Sequence, residues 1–532
     1  MEKHLIRTLS VLVALLVATA CDNDEFFELT NPPESPWLTL ADFEKAPIGA
    51  YYGLSGNGGF RHIYSHGYLA GMLYGDGVRI GDIAEGFNIN ADIEDMYMRT
   101  TEGTQIGIFD NGLYRSGYFG VGFANAAIQH IVDNDGNPYP DDNRQDEVDR
   151  IHGELRFVRA YAYYWLARIY LPAFPNSEKR IPWRTEQAAN LDEAFVSELA
   201  SADDIYPFII EDLRQAKALL PERYDASLHP VAYEDGRANA FAASALLAKV
   251  LFHTGDFAGA EAELDYVIDQ NGGDYDLSED PIEAWNKTGV SRGREVIWYY
   301  ALWAGDGLGG SSNWKHPGRM ESYSADERRA RGPQSNNGRH ITCSDHFLET
   351  VGWQDVNGDE TAEALEDLRY QQLFVRFNPT DVVTVGVNGD TIFAEPNTSF
   401  ITTRPYVWGN KYYRAGNRIT NVPLLRLADM YLLRAAINAT NGQTGDARAD
   451  LNAVRNRAGL ADYAGTDADL LDAIHTERFK EMAFEGDRLY YLQGLDLPIS
   501  GGDRSTGEVP SKGPFFSEVP DFEVELNQAY NN

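Results

Sequence analysis

The chain has 532 residues, 43% apolar and 12% aromatic, ample for a large packed core; at roughly 100–200 residues per domain it holds either two to four units or one large fold with insertions. With 45 Lys plus Arg against 81 Asp plus Glu, its formal net charge of −36 repels phosphate backbones, so general nucleic-acid binding is excluded. Only Cys21 and Cys343 are present, so no disulfide framework staples the fold, and Cys343 in RHITCSDHF reads as a buried small hydrophobe.

Lys3 and Arg7 give a cationic start, Leu9 to Val17 is almost wholly apolar, and Ala18-Thr19-Ala20 sets small side chains before Cys21. The apolar run is far below the roughly 20 residues of a spanning helix, so residues 1–20 read as an export signal outside the fold. Cys21 at the cleavage position resembles a bacterial lipoprotein box, with Ala18 where Leu is commonest. That resemblance implies an acylated Cys21, held to a bilayer at roughly 0.8 kcal/mol per buried CH₂. DNDE directly after Cys21 resembles the acidic tag with which Bacteroidetes-type bacteria send lipoproteins to the cell exterior. Residues 21–40, with Pro32, Pro33 and Pro36, read as anchor and extended lead-in.

Residues 41–532 read as a single domain. The stretch at about 60–110 is rich in Gly, Asp and aromatics without sustained periodicity, which predicts loops with short elements. GELRFVRAYAYYWLARIY then sets Phe157, Tyr161, Trp165 and Ile169 four apart, a helical stripe expected in the core. DIYPFIIEDLRQAKALLP follows and stops at Pro221. RANAFAASALLAKVLFHTGDFAGAEAELDYVID gives two helices joined at Gly255-Asp256, with Asp256 as cap and small residues at the crossing. This is the roughly 34-residue tetratricopeptide pattern, and NVPLLRLADMYLLRAAINATNGQTGDARADLNAVRNRAGL repeats it. DLLDAIHTERFKEMAFEGDRLYYL supplies a last helix. The fold is therefore expected to be mostly α: tetratricopeptide-like helix pairs at about 149–270 and 422–493, with a loop-rich insertion at about 275–420, so that helices from both ends of the chain pack together.

The order of motifs resembles the SusD/RagB family of Bacteroidetes-type bacteria. The residues that carry it are YRSGYFGVGFANAAI at 114–128, GELRFVRAYAYYWLARIY at 153–170, GRANAFAASALLAKVLFHTGDFAGA at 236–260 and EVIW at 295–298. EDLR at 366–369, VPLLRLADMYLLRAA at 422–436, LNAVRNRAGL at 451–460 and ERFKEMAFEGDRLYYL at 477–492 complete the set. RLYYLQGLDLP departs from the usual pattern after FEGxR, a local drift. The resemblance implies a SusD-like, non-catalytic lipoprotein of the outer membrane, facing the cell exterior. It would capture oligo- or polysaccharides, or peptides in some branches, as the lid of a SusC-like TonB-dependent barrel. In such proteins the helix pairs form the scaffold and the inserted loops the ligand face.

Enzyme motifs are thin. G-x-S-x-G, H-E-x-x-H, a Walker loop and C-x-x-C are missing from the sequence; a two-carboxylate glycoside hydrolase is the rival from another class. Glu477, Glu481 and Arg488 repeat at helical spacing beside Met482 and Phe484, which reads as salt bridging that fixes packing. Ligand contact is expected from aromatics outside the helices, whose flat faces stack on sugar C–H faces: Trp303 and Trp314 around AGDGLGGSSN, Tyr323, and Trp353 before an Asp/Asn-rich turn. Asp76 and Arg79 in YGDGVRIGD are candidate hydroxyl partners, with Tyr97 nearby. Lys315, Arg319, Arg328, Arg329, Arg331 and Arg339 run against the acidic background and read as a solvated or salt-bridged loop, or as a site for an anionic glycan. No cofactor is required. Asp355, Asn357, Asp359 and Glu366 match positions 1, 3, 5 and 12 of a calcium loop, although Glu360 stands where that loop wants Gly.

Overall fold

The computed structural model describes residues 37–54, 63–80, 91–188, 190, 193, 195–285, 292–300, 341–377, 406–409, 411 and 421–531. Trp303, Trp314, Tyr323, the basic stretch at 315–340, and Cys21 with the export signal lie outside the described residues.

The scaffold is a chain of packed helices: α1 (Lys45–Leu54), α2 (Ile63–Tyr74), α3 (Ala91–Met98), α4 (Arg115–Val132), α5 (Gln145–Tyr170), α6 (Ala202–Leu219), α7 (Ala240–Thr254) and α8 (Phe257–Asp269). After the insertion come α11 (Leu427–Thr440), α12 (Thr444–Arg457), α13 (Leu470–Glu481) and α14 (Arg488–Gly494), with α9 (Asp345–Thr350) and α10 (Leu368–Leu373) inside it. α1 packs on α4, α4 on α5, α5 on α6, α6 on α7 and α7 on α8; α8 then packs on α11, and α11 on α12 and α13. The two helical blocks are thus one scaffold joined at α8–α11, as expected.

Local chemistry sets the helix ends. Ser201 and Asp204 form a reciprocal capping box at the start of α6. Asn239 caps α7, accepting from Ala242 N at 2.9 Å; Gly255 ends that helix at φ 85°, and Asp256 caps α8, accepting from Gly259 N at 2.9 Å. The α5 stripe is core: the Phe157 and Tyr161 rings meet Trp298 edge to face at 4.8 and 5.0 Å.

The insertion is closed by strands. β2 (Val296–Tyr300) at its start pairs antiparallel with β6 (Val422–Arg426) at its end, with Tyr300 opposite Val422. A long excursion costs little when its ends are held side by side, because closure entropy grows slowly with length. Within it β3 (Ile341–Cys343) pairs with β1 (Val78–Ile80), and β4 (Phe374–Phe377) with β5 (Tyr406–Gly409). Cys343 is buried, as expected.

One expectation needs correction. Residues 60–110 hold the twelve-residue α2 and the eight-residue α3, more helix than a loop region with short elements. α2 (IYSHGYLAGMLY) is buried at nearly every described position, so it has no polar face from which a period could be read. Its glycines permit that burial: a Cβ on Gly67 would enter the Trp165 ring, and one on Gly71 would run into the Gly486 carbonyl. Gly486 itself sits at φ 68°, where a Cβ would lie 2.7 Å from the Tyr68 carbonyl oxygen. Gly71→Ala is expected to cost on the order of 1–3 kcal/mol through overpacking. Thermal unfolding checks this, with Gly122→Ala, where a Cβ meets nothing within 4 Å, as the neutral control.

Candidate functional site

Asp76, Arg79 and Tyr97 do converge, at the junction where both insertions meet the C-terminal segment. Asp76 lies in the Gly75–Gly77 turn between α2 and β1. Its carboxylate receives Arg488 Nε at 3.1 Å and faces His346 Nε2 at 3.5 Å. Burial alone would raise its pKa, but Arg488 and then His346 outweigh that and hold it at about 2. Arg79 reaches Asp345 at 3.0 Å, Asp503 at 3.7 Å and Thr342 Oγ1 at 3.3 Å. Asp503 also accepts from the backbone N–H groups of Asp345 and His346 at 2.9 and 3.0 Å, closing the start of α9. The Arg504 guanidinium lies 4.1 Å from the Tyr97 ring centre, and burial raises the Tyr97 pKa.

Asp76 and Arg79 are 0% and 3% exposed. The expectation that these two offer groups to a ligand is therefore corrected: they tie the insertions to the scaffold. The most exposed charged or ionisable side chains of this junction are Asp345 and His346, at 29% and 31%, ahead of Arg488 at 21% and Asp503 at 15%. Sequence reasoning passed over both; the only signal was Ser344, which caps α9 and so fixes them in its first turn.

The ribbon matters for where it sends the chain. Ile80 is paired with Ile341, so residue 81 departs and residue 340 arrives at the same end. β3 also lies against β5. Ile80 and Ile341 thus lie side by side at one end of the ribbon, while Asp345 and His346 follow its other end, where Val78 pairs with Cys343.

Trp353 is a second correction. It is fully buried, packed against Phe374, Tyr370 and Phe347 at 5.0, 5.2 and 5.5 Å, and donates Nε1–H to Asp367 at 3.2 Å. A polar turn after a residue does not say which way that residue faces. The calcium pattern is not assembled either. Asp355 accepts from the N–H groups of Asn357 and Asp359 at 2.8 and 3.0 Å, folding the turn on itself, while Glu366 is exposed at the end of a separate helical turn, Ala362–Glu366. Among the described residues no group of three or more His, Cys, Asp or Glu side chains is placed to hold a metal ion.

The charged motifs meet elsewhere, in the interior. Arg426 at the end of β6 reaches Glu295 at 2.7 Å, Glu481 at 2.9 Å and Glu485 at 2.7 Å. Arg457 joins Glu481 at 2.7 Å and Lys411 joins Glu485 at 2.7 Å. Arg369 joins Asp367 at 2.8 Å and Glu477 at 2.5 Å. All nine are buried. EVIW, EDLR, VPLLRL, LNAVRNR and ERFKEMAFEGDR thus each contribute to one network linking β2, β6, α10, α12 and α13. The reading of Glu477 and Glu481 as packing ion pairs holds; Arg488 belongs instead to the Asp76 junction. Two partly open pockets of about 30 Å³ beside Gly486 have room for a water or two.

Comparison with known proteins fits this architecture. The profile described as "SusD family" matches residues 311–492, and the profile described as "Starch-binding associating with outer membrane" matches residues 82–252. The two matches mark the chain as similar to SusD-type proteins. A SusD superfamily protein from Bacteroides thetaiotaomicron superposes with a TM-score of 0.69 at 18% identity, over 92% of this chain and 99% of that one. One from Bacteroides vulgatus gives 0.66 at 19%, over 93% and 98%. A laminarin-binding SusD-like protein gives 0.64 at 20%, over 92% and 98%. No curated protein matches by sequence. A protein from Bacteroides vulgatus described as "Putative sugar binding protein" shares the fold, with a TM-score of 0.67 at 18% identity, over 93% of this chain and 98% of that one. No helix among the described residues is long and apolar enough to cross a membrane.

Proposed function

We propose that this SusD-like protein is held to the outer membrane by an acylated Cys21, captures oligo- or polysaccharides outside the cell, and passes them to a SusC-like TonB-dependent barrel. The observation that carries the reading is the match of residues 82–252 to the starch-binding, outer-membrane-associating profile. The β1–β3 ribbon supports it, because it sets Ile80 and Ile341, the described residues that adjoin 81–90 and 301–340 in sequence, side by side. Trp303, Trp314 and Tyr323 fall in the second of these stretches of sequence, and their rings supply stacking faces for sugars. Each aromatic contributes a few kcal/mol at most before ordering costs, which suits capture followed by release. The fold shared with the laminarin-binding protein is consistent with a glucan ligand. The reading uses no metal or other cofactor.

Calorimetric titration of a bound glycan tests the site. Trp303→Ala and Trp314→Ala are each expected to weaken binding by about 10-fold, equivalent to roughly 1.4 kcal/mol, without lowering the thermal midpoint. Unchanged affinity in both would remove these residues from the site.

A further inference from the structure

One face of the scaffold has a composition at odds with so acidic a chain. α1 and α4 cross on a glycine seam: a Cβ on Gly53 would lie 2.8 Å from Gly120 N, and one on Gly49 would meet the Phe123 ring at 3.9 Å. The close crossing brings Ile48 and Tyr52 of α1 beside Phe119 and Phe123 of α4, all four between 44% and 52% exposed. Neither helix contains an Asp or Glu; their exposed cations are Lys45, which pairs with Asp42 at 3.1 Å, and Arg115, which lies 4.8 Å over the Phe522 ring. Along α4, Phe119, Phe123, Ala126 and His130 share one stripe. The first described residue already lies on that stripe: the Trp37 indole packs on His130 at 5.4 Å and Phe43 at 5.3 Å, and its carbonyl accepts from the Tyr139 hydroxyl at 3.0 Å.

The chain before Trp37, DNDEFFELTNPPESP at 22–36, has the complementary composition. It carries Asp22, Asp24, Glu25, Glu28 and Glu34, no cation, and the apolar group Phe26, Phe27 and Leu29. From His130, Phe123 lies about 10 Å and Phe119 about 16 Å along α4, whereas the ten residues back from Trp37 to Phe27 reach up to about 35 Å. Apolar content, charge and length agree. We infer that Glu25–Leu29 docks on the α1/α4 face, setting its phenylalanines against Phe119, Phe123, Ile48 and Tyr52, with its carboxylates toward Lys45 and Arg115. The lead-in from Cys21 is then laid along one side of the scaffold, so the site of attachment fixes which face of the fold turns outward. The inference does not depend on the identity of the ligand.

The test uses the processed chain carrying Cys21→Ser, in which buried Cys343 is the sole native thiol. Phe27→Cys is combined either with Phe123→Cys or, as control, with Val356→Cys, which is 86% exposed in the Asp355–Asp359 turn. The account expects an intramolecular disulfide with position 123 to form at least about 10-fold faster than with position 356, as a raised effective concentration requires. Equal rates would overturn it, and so would intermolecular 27–123 linkage, which would assign the face to a second copy. A second measurement needs no new cysteine. Hydroxyl-radical labelling of Tyr52, Phe119 and Phe123 is expected to rise severalfold when Phe26, Phe27 and Leu29 are all changed to Ser. Unchanged labelling would overturn the docking and leave the face to an outside partner.

Discussion

Arg426→Met is expected to lower the unfolding free energy by about 3–5 kcal/mol, the cost of removing one partner from a buried ion pair. Arg426 is 1% exposed and reaches three carboxylates, Glu295, Glu481 and Glu485, through Nε, Nη1 and Nη2. Its loss leaves those buried carboxylates with fewer cations, Lys411, Arg457 and Arg369. Arg426→Lys is expected to recover little, since one ammonium cannot span the fork of acceptors. The contrasting case is Arg448, paired at 2.6 Å with an Asp467 side chain that is 61% exposed. Arg448→Met is expected to cost no more than about 1 kcal/mol. Urea unfolding midpoints of the three variants check this, and equal losses at positions 426 and 448 would contradict the role given to the network.

Stability is expected to be full above about pH 6.5 and to fall steadily toward pH 4. His253 is buried against Tyr206, and burial, then Arg168, push its pKa down to about 3. Burial also leads for His475, followed by Arg488, and for His152, followed by Arg156, each held at about 4. These folded values lie below the unfolded value of about 6.5. Above pH 6.5 both states are neutral and nothing is lost; below it the unfolded chain binds protons that the folded chain refuses. Each such histidine costs roughly 1.4 kcal/mol per pH unit until its folded pKa is reached. A second loss follows below about pH 4, as Asp76, held at about 2, and the lowered Asp429 and Glu481 become protonated more readily in the unfolded chain. Thermal midpoints between pH 7.5 and 4 check the first window. His253→Gln is expected to shallow that slope by about one proton, and a midpoint that does not move between pH 7 and 5 would contradict the burial assigned to these rings.

Much of the scaffold was legible in the sequence because its helices are capped and periodic. Phe157, Tyr161 and Trp165 announce a core stripe, and Gly255-Asp256 announces a turn between paired helices. α2 was not legible, since a helix buried on all sides shows no period. The ribbons were not either: they are three to five residues long and join partners such as Arg79 and Thr342, 263 positions apart. Helical spacing marked Glu477 and Glu481 as packing charges. Nothing local could pair them with Arg369, 108 positions away, or show that the family-like motifs are the separate walls of one buried network. Aromatic context misled at Trp353, because a turn residue and a core residue can be neighbours in sequence. Asp76, Arg79 and Tyr97 were found as a group, but proximity to an insertion does not separate a ligand group from the tie that holds the insertion in place.

The most direct measurement is a glycan array probed with the purified protein beside a peptide pool, with bound glycans then incubated and analysed for new ends. The account predicts retention of one class of oligo- or polysaccharide, no retention of peptides, and glycans recovered at their original length. Peptide capture alone, or release of shortened sugars, would contradict it.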